Sequence, residues 1–224
     1  MLTTDSYYST PNLDALMAEF GLTRTPGLVV EGDSGHYLNG YPYYLLPDYA
    51  TDTESGTLDG IDTSRRVLLQ MAQGITITET EGIASEALLV STESSYSKAA
   101  GYELATYEKE EGDTDGPFAV ALSIEDSGGG EIIWFASSVF LEDLYNAYSS
   151  GANVNLAMNA LSSLVGESEA MAIRSKSLDY NYLTISESTS SLLKTVMIGV
   201  CPLAYLGMGV AVILVRRRNQ NVPC

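Results

Sequence analysis

Apolar positions recur with helical spacing near the start of the chain. Residues 11–20 (PNLDALMAEF) set Leu13, Leu16, Met17 and Phe20 three or four apart, which makes one apolar helical face. Thr10 is placed to cap this helix, Pro11 suits its first turn, and Gly21 stops it. The period then changes. Residues 27–31 (GLVVE) form a short continuous apolar run, which predicts a buried strand. Helix, short turn and strand in succession is the grammar of an α/β protein.

Residues 33–60 are rich in Gly, Tyr, Pro, Asp and Thr and read as an extended surface segment, with residues 41–46 (YPYYLL) as its one sticky patch. Residues 66–70 (RVLLQ), 75–78 (ITIT) and 87–91 (ALLVS) predict strands. Residues 102–116 are acidic and contain glycine, hence a loop. Residues 118–125 and 131–136 predict two strands joined by the turn Asp126-Ser127-Gly128-Gly129-Gly130. Helices follow at 139–148 and 153–165. In the second, Leu156, Asn159, Ala160 and Leu164 share a face, with Leu161 and Val165 beside them. Residues 178–186 are a last extended piece. Nothing repeats with a solenoid period.

The tail follows a different rule. Residues 196–215 (VMIGVCPLAYLGMGVAVILV) carry no charge, a length that crosses ~30 Å of hydrocarbon. Pro202 lies inside the run, where membrane helices tolerate it. A transmembrane helix is therefore expected over 192–215, spanning the lipid bilayer, with a tail at 216–224. Arg216, Arg217 and Arg218 follow at once, and the positive-inside rule puts them in the cytoplasm. Residues 1–191 then form an extracytoplasmic domain. Gly207 and Ala211 have the small-xxx-small spacing that lets membrane helices approach closely. Residues 1–8 (MLTTDSYY) have neither a basic n-region nor an apolar run to export such a domain. Either the protein is tail-anchored with its domain in the cytoplasm, or the chain lacks its start, which is what the family resemblance below implies.

Charge sharpens the contrast. The chain has 224 residues and a formal charge of −18. All 29 acidic residues precede Leu192, where seven bases accompany them, a balance of −22; the remainder is +4. Such a surface excludes nucleic acid as a partner, because phosphates need a basic face. At 45% hydrophobic residues the chain is no disordered acidic tail. Its two cysteines, Cys201 and Cys224, both lie outside the acidic part, which therefore has no disulfide, thiol nucleophile or cysteine metal site.

Catalytic motifs are sparse. Gly32-Asp33-Ser34-Gly35-His36 contains the nucleophile signature of chymotrypsin-like proteases, but that chemistry also needs a histidine base and an orienting carboxylate. The only histidine is His36, too close in sequence to Ser34 to serve, so the segment reads as a turn. No Gly-x-Ser-x-Gly elbow occurs. Asp113-Thr114-Asp115-Gly116 opens like a calcium loop, yet the positions that need Gly and Glu hold Phe118 and Ile124. Neither nucleotide fingerprint is present, so no cofactor, metal or catalytic residue is assigned, and no enzyme is expected. The 15 tyrosines include the pairs Tyr7-Tyr8 and Tyr43-Tyr44. They suit either a binding platform or packing at strand edges and loops.

Three segments together resemble a known family. Residues 12–30, from Asn12-Leu13 through Gly21-Leu22 to Gly27-Leu28-Val29-Val30, are similar to its NL..LL..YG....GLVVD passage. The strand pair at 118–136, ending in Ala136-Ser137-Ser138-Val139-Phe140-Leu141, resembles its strand pair, with Ala-Ser-Ser where the family has Gly-Asp-Ser. Asn153 to Leu164 resembles its N.dl..N...wL helix. The family is the auxiliary extracytoplasmic component of gliding-motility (Gld)-type ABC transporters. The resemblance implies a Rossmann-like domain, akin to flavodoxin and glutamine-amidotransferase sheets without their catalytic residues, and here lacking its N-terminal portion. It also implies an ABC permease and a cytoplasmic ATPase as partners. The alternative is a free-standing anchored binding protein that takes an extracellular glycan or peptide.

Overall fold

A computed structural model describes residues 1–53, 55–166 and 187–220. The chain divides into two compact units, Met1–Asp179 and Tyr180–Cys224.

The first unit is mixed α/β. Its strands are β1 (Leu2–Thr3), β2 (Leu22–Arg24), β3 (Leu28–Val30), β4 (Tyr37–Leu38), β5 (Tyr41–Leu45), β6 (Asp48–Tyr49), β7 (Leu69–Gln70), β8 (Ile75–Ile77), β9 (Ile83–Val90), β10 (Tyr96–Lys98), β11 (Thr114–Asp115), β12 (Ala119–Asp126) and β13 (Glu131–Phe135). Its helices are α1 (Pro11–Glu19), α2 (Asp143–Tyr148) and α3 (Ala152–Val165). Seven strands make the main sheet, in the order β1-β13-β12-β8-β2, with β9 also alongside β12 and β6 beside β9. β1 and β13 run parallel, whereas the other pairs of this sheet are antiparallel. The sheet is thus mixed, with its one parallel pair among the described residues at an edge, where a Rossmann-like sheet is expected to be parallel throughout. Two three-stranded sheets flank it, β11-β10-β3 and β4-β5-β7.

β12 sits at the centre because it is apolar on both faces. Val120, Ala121, Leu122 and Ile124 are all buried, the pattern of a strand covered on both sides. The expected hairpin is present, with Leu122 opposite Trp134 and Ile124 opposite Ile132. Trp134 is buried and donates its indole N–H to Thr4 Oγ1 at 2.9 Å, which fastens the segment after β1 to the core.

α1 occupies the predicted place, with Pro11 in its first turn. Thr10, however, makes no side-chain cap bond. Its hydroxyl instead accepts from Arg24, whose guanidinium also grips both Asp14 carboxylate oxygens at 2.7 Å and Gln73 at 3.0 Å. The cation offers a stronger, bidentate set of bonds than the helix end does. Gly21 ends the helix at φ +76, and a Cβ there would lie 2.3 Å from the Thr78 carbonyl oxygen.

The predicted strand at 66–70 is shorter than expected, beginning only at Leu69. Asn153 explains it. Its Oδ1 accepts from the Leu68 amide at 2.8 Å, and its Nδ2 donates to the carbonyls of Leu68 at 2.9 Å and Phe140 at 2.6 Å. A side-chain amide here takes the place of a neighbouring strand. Asn159, two turns further along α3, donates to the Asp59 carbonyl at 2.9 Å. The asparagines that carried the family resemblance are therefore clamps on loop backbone. Leu161 and Val165, expected beside the buried face, are 42% and 69% exposed. The helix expected at 139–148 is split into a 3-10 turn (Val139–Leu141) and α2. The predicted extended piece at 178–186 lies outside the described residues.

The described residues of the second unit form a helix in three parts: α4 (Glu187–Thr195), a π turn (Val196–Val200) and α5 (Cys201–Gln220). Pro202 accounts for the π turn. It has no N–H to give the carbonyl four residues back, and its ring crowds that carbonyl. Accordingly the Cys201 amide reaches back five residues, to the Val196 carbonyl. Ser191–Leu214 is long and apolar enough to cross a membrane and is wholly exposed. At 1.5 Å per residue it is about 36 Å long.

Candidate functional site: a tyrosine-flanked cavity beyond the parallel strands

Because β1 and β13 are parallel, their carboxyl ends emerge side by side, which is where open α/β sheets place ligands. A cavity of about 190 Å³ lies there. Asp5 enters it just after β1, and Ser137 and Ser138 just after β13. Gln70 and Met71, at the end of β7, form a third side, and Tyr102, Glu142 and Tyr145 complete it.

The groups are held tightly. Asp5 Oδ1 accepts from the Tyr7 amide at 2.8 Å and the Tyr102 hydroxyl at 3.2 Å, and Oδ2 accepts from Ser138 at 3.1 Å. Ser137 donates to the Gln70 carbonyl at 2.8 Å. Ser6 donates to the Met71 carbonyl at 2.7 Å, and Met71 holds a left-handed backbone at φ 52. Burial pushes the Tyr145 phenol up to about 12, aided by Tyr44 and by the charge of Glu142. Burial also raises Tyr102, with the negative charge of Asp5 adding to it. Both phenols are therefore neutral at physiological pH, and the cavity's charge comes from its two carboxylates. Among the described residues neither carboxylate has a basic partner, and no basic side chain lines the cavity.

Tyrosines stand on both sides. Tyr102 packs on Tyr7 with ring centres 5.0 Å apart at 82°, and Tyr7 packs on Tyr8 at 88°. Tyr145 meets Tyr44 at 5.9 Å and 85°, and Tyr44 meets Tyr43 at 5.0 Å and 90°. Tyr41 and Tyr107 extend this second group. The pairs Tyr7-Tyr8 and Tyr43-Tyr44, apparent from sequence, thus lie outside the lining and reach the cavity through Tyr102 and Tyr145. The sequence reading missed Asp5, Tyr102, Glu142 and Tyr145. The one available signal was that Asp5 and Ser137-Ser138 each follow directly on a strand.

The other motifs have structural roles. In the Gly32–His36 turn, His36 Nδ1 lies 2.7 Å from Asp33 and Nε2 lies 3.2 Å from Asp48, so the ring bridges two carboxylates and Ser34 is not its partner. Asp113 and Asp115, which open like a calcium loop, are paired with Lys98 and Lys109. Gly207 and Ala211 are both exposed on α5, and among the described residues nothing lies within 4 Å of a Cβ built on Gly207. Arg216 is exposed, and Arg217 and Arg218 continue the same helix.

No family model matches the sequence. No curated protein matches it either. Among solved structures the chain is similar to one described as "mmIFT52 N-terminal domain", at 11% identity and a TM-score of 0.46, over 68% of this chain. The chain spans 57% of that structure's length.

Proposed function

We propose that this protein is a non-catalytic, membrane-anchored auxiliary subunit of an ABC-type transport system, working with a separate permease and a cytoplasmic ATPase. The observation that carries the reading is the exposed apolar helix Ser191–Leu214 at the end of an acidic α/β unit. Arg216, Arg217 and Arg218 favour a cytoplasmic C-terminus and an extracytoplasmic domain. The resemblance in segments 12–30, 118–141 and 153–164 supplies the transporter class. The same resemblance supports a Rossmann-like ancestry, to which the parallel β1–β13 edge is suited. Gly207 and Ala211 are the proposed contact with the permease.

The test is co-purification. The native gene product is tagged at its C-terminus and extracted from membranes in mild detergent. A permease and an ATPase recovered in stable ratio are expected. A protein that purifies alone would sink the reading. It would favour the second one, an anchored binding protein for a glycan or peptide, for which the cavity and its tyrosines speak.

A further inference from the structure

We infer that the cavity beyond β1 and β13 binds a guanidinium or ammonium group, presented by an arginine or lysine side chain of an extended basic peptide. This inference does not depend on the transport reading, because it concerns the acidic unit alone.

Three observations carry it. First, two carboxylates, Asp5 and Glu142, border a small cavity with no basic residue in its lining. Three donors occupy Asp5, which leaves acceptor capacity on Oδ2, while Glu142 is exposed and holds no cation among the described residues. Second, two tyrosines, Tyr102 and Tyr145, line the cavity, each backed by a further ring, Tyr7 and Tyr44. Aromatic rings in the lining suit the enclosure of a cation. Third, the domain that holds the cavity has a balance of −22, which draws a basic chain towards it. Tyr7 and Tyr8, 64% and 65% exposed, lie beside the cavity where the residues flanking the bound side chain would run.

The experiment is calorimetric titration of the full chain in phosphatidylcholine nanodiscs at low salt. The probe is a short, end-blocked Gly/Ser peptide with one central arginine. The controls are the same peptide with citrulline, which keeps the shape but lacks the charge, and free arginine amide. The arginine peptide is expected to bind, with citrulline weakening it about tenfold or more. Glu142→Gln is expected to weaken the arginine peptide about fivefold. Glu81→Gln is expected to leave it unchanged, since Glu81 lies beside Gly82 at the far end of the sheet, by the 126–130 hairpin. The Glu142 side chain makes no hydrogen bond or ion pair among the described residues, and its backbone bonds are unchanged by the substitution, so loss through misfolding is avoided. Equal binding of the citrulline peptide, or equal losses from the two glutamine variants, would overturn the site. Arginine amide binding as tightly as the peptide would overturn the extended-chain assignment.

Discussion

The ammonium of Lys98 lies 3.0 Å from Oδ2 of Asp113, and both side chains are shut away from water, 0% and 4% exposed. Lys98 also meets Glu110 at 2.6 Å and donates to the Glu108 carbonyl at 2.7 Å. One buried cation therefore gathers the acidic loop that follows β10 and fixes it to the domain.

Removing that cation strands a buried carboxylate. Lys98→Met is expected to destabilise the domain by about 3 kcal/mol. Urea unfolding followed by the fluorescence of Trp134, the single tryptophan and a buried one, measures this. Adding Asp113→Asn should recover part of the loss, because the buried unpaired charge is then gone and only the half-exposed Glu110 is left without its cation. A single variant as stable as the parent would refute the account.

The same pair sets a pH dependence. Burial opposes ionisation of Asp113, but the amides of Glu110 and Ala99 and the Lys98 ammonium outweigh it and hold the carboxyl below its ordinary 3.8. A carboxylate lowered on folding stabilises the fold above its unfolded value, and the contribution fades as pH falls through the folded value. Burial likewise opposes the charge on Lys98, and Glu110 and Asp113 overcome it, raising the amine above 10.5. That contribution is complete below the unfolded value and fades as pH rises through the folded one. Urea midpoints of the parent should thus fall more steeply below about pH 4 than those of Lys98→Met/Asp113→Asn.

Asn153 should be the most sensitive position of α3. Asn153→Ala leaves the Leu68 amide and the carbonyls of Leu68 and Phe140 buried without partners, at a cost of about 3 kcal/mol. Asn159→Ala, which removes one bond to Asp59, should cost about 1 kcal/mol. Thermal unfolding of the two variants side by side checks the order. Equal losses would contradict it.

In the apolar helix α5, Gly207→Ile and Ala211→Ile are expected, on the proposed transport reading, to reduce recovery of a permease without shifting the urea midpoint of the domain. Among the described residues nothing lies within 4 Å of a Cβ built on Gly207, so a bulky side chain there is tolerated by the helix itself. Undiminished recovery would remove this face from the proposed contact.

Much of the architecture was legible along the chain. The helix at Pro11, the 118–136 hairpin, the α3 helix and the apolar tail all follow from local periodicity, and local periodicity survives folding. Other features were hidden for definite reasons. Residues 66–68 have the composition of a strand, but Asn153, distant in sequence, uses the backbone groups a strand would pair. β3 was recognisable as a strand, yet nothing local said that it joins β10 and β11 rather than the main sheet. The loop at 102–116 looked merely solvated because a buried lysine cannot be told from an exposed one by sequence. In the candidate site the tyrosine pairs were visible, whereas Asp5, Tyr102, Glu142 and Tyr145 are ordinary residues until the fold brings them together.

The sequence by itself determined the α/β character, the acidity of the domain, and an uncharged tail flanked by arginines. Each is a matter of composition or short-range pattern. Only the tertiary structure decided that β1 pairs in parallel with β13, that Ser138 reaches Asp5 across more than half the chain, and that Lys98 is the buried counter-charge of the acidic loop. Such choices depend on which distant apolar surfaces bury each other, and that competition involves the whole core rather than any window of the chain.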